Sequence, residues 1–325
     1  MSTRRALLDA LRSGPVSGPE LADDLGVSRA AVWKAVEALR EEGFEVGSTD
    51  DGYVAPTDPA YCAAGIEFGL DAPYGVDYHD SIPSTNDRAR RLAEEGQSDV
   101  AVVADEQTGS RGRLDRDWVA PSGGVWVSLL TRPKIAPARA PLVTLAAAVA
   151  TTDACRAAGV DAGIKWPNDV LLRRTGGADP DAHESKAAAE RGGEKLAGVL
   201  TEMEGEADRV SWLVVGIGVN ANIDSEALPA GATSLRAVLG GDVDRRRFVI
   251  RLLDRLAELG ADPDAVLPAW RERAITLGRR VRVETATGDV VGTAVDVEPP
   301  GALVIETGDG RVSVHAGDCD HLREA

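Results

Sequence analysis

Five consecutive positions, Lys165-Trp166-Pro167-Asn168-Asp169, hold a cation, an aromatic ring, a rigid imino acid, an amide and a carboxylate. Gly163-Ile164 precede them and Val170-Leu171-Leu172 follow. Proline fixes its own φ and drives the preceding residue toward extended backbone, so this is not a helix interior. The pattern predicts a strand that breaks, presents Lys165, Asn168 and Asp169, and re-enters the core through Val170 to Leu172. Polar groups held rigidly at a sheet edge are a common way to build a site. Taken alone, the segment fits two readings: a turn between strands, or a cationic centre that neutralises an anion.

Three other segments carry donors and charges. Ser84-Thr85-Asn86 precede a charged helix. They fit a helix cap, and equally a cluster of small donors and acceptors for a polar heterocycle. Gln107 and Arg111-Gly112-Arg113 follow the apolar run Val100 to Ala104, and Arg116, Asp117 and Trp118 extend that loop. Guanidinium groups bind carboxylate and phosphate bidentately, and glycine admits a ligand close to the backbone. An exposed turn fits the same residues. Gly216-Ile217-Gly218-Val219-Asn220 ends a strand pattern. It lacks the third glycine and the following helix of a dinucleotide fingerprint, so Asn220 reads instead as a partner for a purine edge. No P-loop, no nucleophile elbow and no metal-ligand spacing of His or Cys occurs, which argues against covalent serine catalysis and zinc hydrolysis.

These segments need a scaffold. Apolar runs at Val100–Ala104, Val125–Leu130, Lys195–Glu202 and Trp212–Val219 predict buried strands. Ala140–Ala158 and Val249–Leu259 predict helices. The run from Arg173 to Glu194 has no periodicity and predicts a surface loop, and Thr57 to Gly75 predicts a linker. Before it, two helices, a third capped by Ser28, and a hairpin around Asp51-Gly52 predict a winged helix-turn-helix over residues 1–60. Its third helix offers Ser28, Arg29, Trp33, Lys34 and Arg40 to a DNA groove. A domain that only packs on the rest fits as well. Residues 61–275 predict a mixed α/β body. Residues 276–325, with short strands from Val281 to Val314, predict a small SH3-like β-barrel. The whole is a multidomain α+β chain.

The formal net charge of −17 over 325 residues is unusual, and 43% of the chain is apolar. Periodicity argues against disorder, and the composition suits a halophilic protein whose carboxylates are screened by salt. That acidity opposes DNA binding in ordinary salt. No apolar run is long enough to predict a membrane span or signal region. The 3 cysteines are widely separated, which predicts a reduced, cytoplasmic setting.

In order along the chain, Ser84-Thr85-Asn86, Gln107 with Arg111-Gly112-Arg113, Lys165 to Asp169, Gly198 to Glu202 and Gly216 to Asn220 resemble the biotin–protein ligases. The winged helix makes the chain similar to their bifunctional ligase/repressor form. The resemblance implies a central domain like the class II synthetases and two half-reactions, ATP with Mg²⁺ activating biotin and a carrier lysine receiving it. It implies that Ser84, Thr85, Asn86, Gln107, Arg111, Gly112, Arg113 and Lys165 hold biotin, and that Lys165, Arg113 and Asp169 serve catalysis. Asn168, Asn220, Gly216, Gly218 and Trp118 would meet the nucleotide. It also implies a biotin carboxyl carrier domain as partner, operator DNA, and a homodimer. Ser110 stands where the family often has Gly, and Leu114-Asp115 where it often has Arg-Gly. A lipoate ligase of the same general fold and a ligand-sensing transcription factor are the alternatives. Thr85 and Gln107 favour a ureido ring over a lipoyl chain.

Overall fold

The computed structural model describes residues 3–112, 118–173 and 192–322. The N-terminal unit contains α1 (Thr3–Arg12), α2 (Gly18–Asp24), α3 (Arg29–Glu41) and a hairpin of β1 (Gly47–Thr49) and β2 (Gly52–Val54). Ser17 and Ser28 cap α2 and α3 by accepting backbone N–H bonds from Glu20 and Ala31. Leu8, Leu21, Val36 and Phe44 close its core. The wing starts at Gly47, because Phe44 and Val46 are buried in that core and leave Gly47 as the first pairing residue.

The predicted linker is wrong in part. It holds a helix, α4 (Ala63–Gly69), with Ile66 wholly buried. Gly65 and Gly69 are packing residues here. A Cβ would sit 2.0 Å from the Ala60 carbonyl oxygen at the first and 2.6 Å from the Ile250 side chain at the second. The helix joins the two units: Cys62 and Ala64 lie in the winged-helix core, while Ile66 and Leu70 lie in the central one. Arg4 pairs with Glu67 at 2.7 Å, and Arg5 donates to the Leu70 carbonyl at 2.6 Å.

The central body is a seven-stranded sheet ordered β3-β4-β5-β9-β8-β7-β6. Its strands are β3 (Gly75–Ile82), β4 (Val100–Gln107), β5 (Val125–Thr131), β6 (Ala162–Lys165), β7 (Asp169–Leu172), β8 (Lys195–Gly205) and β9 (Val210–Val219). Only β3 and β4 run parallel. The strand β3 was not foreseen, since His79 and Asp80 interrupt its apolar pattern. The helices are α5 (Thr85–Glu94), α6 (Ala140–Ala157), α7 (Leu235–Leu239), α8 (Arg245–Ala261) and α9 (Val266–Arg273). Among these, α6 is buried on most sides, and the buried hydroxyls of Thr151 and Thr152 bond carbonyls one turn back.

The C-terminal unit is a five-stranded antiparallel sheet ordered β13-β12-β11-β10-β14. It is built from β10 (Arg280–Thr285), β11 (Gly288–Glu298), β12 (Ala302–Thr307), β13 (Gly310–Val314) and β14 (Asp318–His321). From Gly288 to Glu298 the chain forms one long strand, bent by a bulge between Ala294 and Asp296. The polar strand β14 was missed, because Asp318-Cys319-Asp320-His321 lacks an apolar alternation. Val281, Val283, Ala294 and Ile305 belong to the same core as the central body. Among the described residues no helix is long and apolar enough to cross a membrane.

Candidate active site

Strand register builds the site. One row crosses the sheet through Lys165, Asp169, Gly198, Gly218 and Trp126, on β6, β7, β8, β9 and β5 in turn. The row has charged groups at one end, glycines in the middle and an aromatic at the other. Trp118 lies on the glycines. A Cβ would come within 3.3 Å of its ring from Gly198 and 3.0 Å from Gly218. Here the glycines serve a flat side chain resting on the sheet, rather than a phosphate loop.

Over this floor opens a cleft of about 800 Å³. Ser84, Thr85, Asn86, Gln107, Arg111, Gly112, Trp118, Lys165, Asn168, Asp169, Gly216, Gly218 and Asn220 all line it. Arg113, Arg116 and Asp117 lie outside the described residues, as does the run from 174 to 191. Among the described residues no cluster of three or more His, Cys, Asp or Glu suits a metal ion.

At one end of the cleft, Ser84 is both cap and lining. Its hydroxyl accepts the Asp87 N–H at 3.3 Å, so the cap reading holds, and the residue also faces the cleft. Thr85 donates to Gln107 Oε1 from its backbone N–H at 2.8 Å and from its hydroxyl at 3.0 Å. Ser128 Oγ lies 2.7 Å from Thr85 Oγ1 and 2.5 Å from Asn86 Oδ1. Asn86 Nδ2 donates to Glu202 Oε2 at 2.6 Å, and Arg90 reaches the other oxygen of Glu202 at 3.5 Å. Gly216 makes room for this network, since a Cβ there would stand 2.3 Å from Asn86 Oδ1. Buried polar groups locked by several bonds give a rigid donor and acceptor array.

Asp105, two residues before Gln107, anchors the loop's base. It accepts from Ser122 at 2.5 Å and Arg245 at 2.5 Å. Burial raises its pKa, but these bonds outweigh it and hold the carboxyl below its usual range.

The other end is ionic. Lys195, which the sequence reading treated only as the first residue of a strand, lines the cleft. Its ammonium sits 2.5 Å from Asp169 Oδ1 and 5.1 Å from the centroid of the Trp118 ring. Its neighbour across the cleft, Lys165, is 6% exposed, and its Nζ is 3.8 Å from Asp320 Oδ1. Two lysines therefore line the cleft where one was expected. Asn168 and Asn220 are both buried, and their amide nitrogens already donate to the backbone. Asn168 reaches the Val199 carbonyl at 2.8 Å, and Asn220 reaches Thr233 at 3.0 Å. Both amides line the cleft.

Over residues 78–220 the chain matches the biotin/lipoate A/B protein ligase family. Residues 276–322 match the biotin protein ligase C-terminal domain, and residues 3–54 an HTH domain. It is 35% identical to the bifunctional ligase/repressor BirA of Bacillus subtilis, over 94% of this chain and 93% of that one. The chain belongs to the biotin/lipoate protein ligase family. A biotin--[acetyl-CoA-carboxylase] ligase of Mycobacterium tuberculosis is 34% identical over 69% of this chain and 79% of its own. Among solved structures, the biotin protein ligase of Aquifex aeolicus in complex with biotin and ATP superposes with a TM-score of 0.59 at 26% identity. It covers 77% of this chain and 99% of that one. In a member of this family with an added HTH domain, α3 is the element to inspect for DNA. Ser28 caps it, and Arg29, Trp33 and Lys34 are exposed, Trp33 by 55%. Arg40 is not available to a groove, because it donates to the Val46 carbonyl at 2.6 Å and fixes the wing.

Proposed function

We propose that the chain is an ATP-dependent biotin–protein ligase and also a biotin-responsive repressor. One observation carries the ligase reading: a neutral, hydrogen-bonded pocket at Thr85 and Gln107 adjoins two lysines at Lys165 and Lys195 within one cleft. The neutral end suits a ureido ring, which offers both donors and an acceptor. Gln107 gives its oxygen to Thr85, and its amide N–H groups are the donors for the ring. The cationic end suits a carboxylate meeting a triphosphate.

In the first half-reaction a biotin carboxylate oxygen attacks the α-phosphorus of ATP, and pyrophosphate leaves. Two anions approach, so fixed ammonium groups lower the barrier by electrostatic preorganisation. Lys195 is placed first in this role, with Lys165 beside it and Arg111 and Arg113 closing from the loop. Mg²⁺ is proposed only as the ion that ATP brings to its phosphates. In the second half-reaction a carrier lysine amine attacks the acyl carbon of the adenylate, an amide forms and AMP leaves. Asp169 stands beside the reacting centre and is the acceptor proposed for the incoming amine's proton. Gly216, Gly218 and Trp118 shape the floor, with Asn220 offering its carbonyl oxygen to the adenine amino group and Asn168 lining the nucleotide end. Residues 1–60, 61–275 and 276–325 are proposed as the three functional domains, working as a cytoplasmic homodimer.

Thr85 and Gln107 also decide against a lipoate ligase, whose chain needs an apolar tunnel. Excess lipoate is expected to leave biotinylation unaffected; competition at equal concentration would reverse the choice.

The repressor half is tested separately. A gel shift on the chain's own promoter, with biotin and ATP, is expected to show a complex that weakens as salt rises. Lys34→Ala should weaken it by about 1 kcal/mol and reduce the salt slope by about one. Unchanged binding in that variant and in Trp33→Ala would exclude this face of α3, leaving a domain that only packs.

A further inference from the structure

The C-terminal sheet does more than pack on the central body. It contributes Glu284, Asp318 and Asp320 to the wall of the cleft. The residues that lead into it also hold the Lys165 segment. Ile275 donates its N–H to the Ile164 carbonyl at 2.9 Å, and Trp166 donates its own to Thr276 Oγ1 at 3.0 Å. The Trp166 indole donates to the Gly301 carbonyl at 3.0 Å. Thr276 is in turn held by His321 Nε2 at 3.1 Å. Burial, with Lys165 and Arg279 nearby, pushes the His321 pKa down to about 3, so its ring stays neutral. One residue before it in β14, Asp320 reaches Lys165 at 3.8 Å and Arg282 at 3.3 Å.

We propose that β14 completes the active site, with Asp320 acting as a positioning residue that aims the Lys165 ammonium. This rests on the ligase reading above. A buried lysine stem with a flexible tip needs a fixed counter-charge to hold one rotamer, and the strand supplies it from a different domain. Because the Asp320 side chain is 39% exposed, removing its charge is expected to leave the fold intact while taking this counter-charge from the tip.

The test is a double-mutant cycle on adenylate formation in the full-length chain, with pyrophosphate release measured against ATP and biotin separately. Asp320→Asn is expected to lower kcat about tenfold, the size of coupling typical of residues in contact. KM for biotin should hold, because the biotin end is remote from the pair. Asp320→Glu should restore most of the loss. In a Lys165→Met background, Asp320→Asn should cost nothing further. A residue that only stapled two domains together would add its full effect in both backgrounds and would not be rescued. That result, or an Asp320→Asn protein as active as the parent, overturns the proposal. A parent that makes no adenylate at all overturns the ligase reading itself, and this inference with it, which a deficit confined to the variant does not.

Discussion

Lys195→Ala is expected to slow biotinyl-adenylate formation by about 10²- to 10³-fold, the cost of deleting one preorganised electrostatic group. The ammonium is fixed by contact with Asp169 at 2.5 Å and by the face of Trp118. It reaches neutralising position without reorganising, so its loss falls on kcat more than on biotin KM. The same substitution leaves Asp169 without this partner in a half-buried position, which adds to the deficit. Lys165→Ala should also be severely impaired, though by a different route, because that lysine is 6% exposed and is aimed from the C-terminal strand. Single-turnover release of pyrophosphate from ATP checks both. Near-parental rates in either variant would remove that lysine from the activation centre.

Gly216→Ala is expected to carry the second-largest effect, and on a different quantity. The added methyl would stand 2.3 Å from Asn86 Oδ1, on a strand that cannot shift without disturbing both neighbours. Asn86 must move, and its bonds to Glu202 and Ser128 break together. Overpacking and a stranded buried amide together cost about 2–4 kcal/mol. Thr85 shares Ser128 with Asn86, so the damage passes to the end of the cleft proposed for biotin. Thermal unfolding should fall, and calorimetric biotin affinity should drop by at least tenfold. An alanine variant with parental affinity would mean that Asn86 does not shape the pocket.

How much of this was legible in sequence depended on whether the signal was local. The strands that carry Gly216 and Lys165 were visible as apolar runs, and the caps at Ser28 and Ser84 as small hydroxyls before helices. The glycines at 198, 216 and 218 were visible as residues but not as reasons. Their partners, Trp118 and Asn86, come from distant segments that meet them only across the sheet register. Lys195 was overlooked for the same cause: its importance lies in Trp118 and Asp169, neither of which is near it in the chain. In α4, Gly65 and Gly69 read as loop residues, yet they are the close-packing points of a helix against α8 and the preceding turn. The strand β14 is held by pairing with β10 and by contacts to Thr276 and Lys165, so polar residues beyond the predicted strands form an edge of the site.

The central claim is that one cleft activates biotin and passes it to a protein. Mixing the full-length chain with ATP, Mg²⁺, biotin and an apo carboxyl carrier domain tests it most directly, with carrier mass and AMP followed together. The account predicts one AMP and one pyrophosphate for each biotin joined to the carrier lysine. A carrier left unmodified while biotin and ATP are present, or one that takes lipoate in preference, would contradict it.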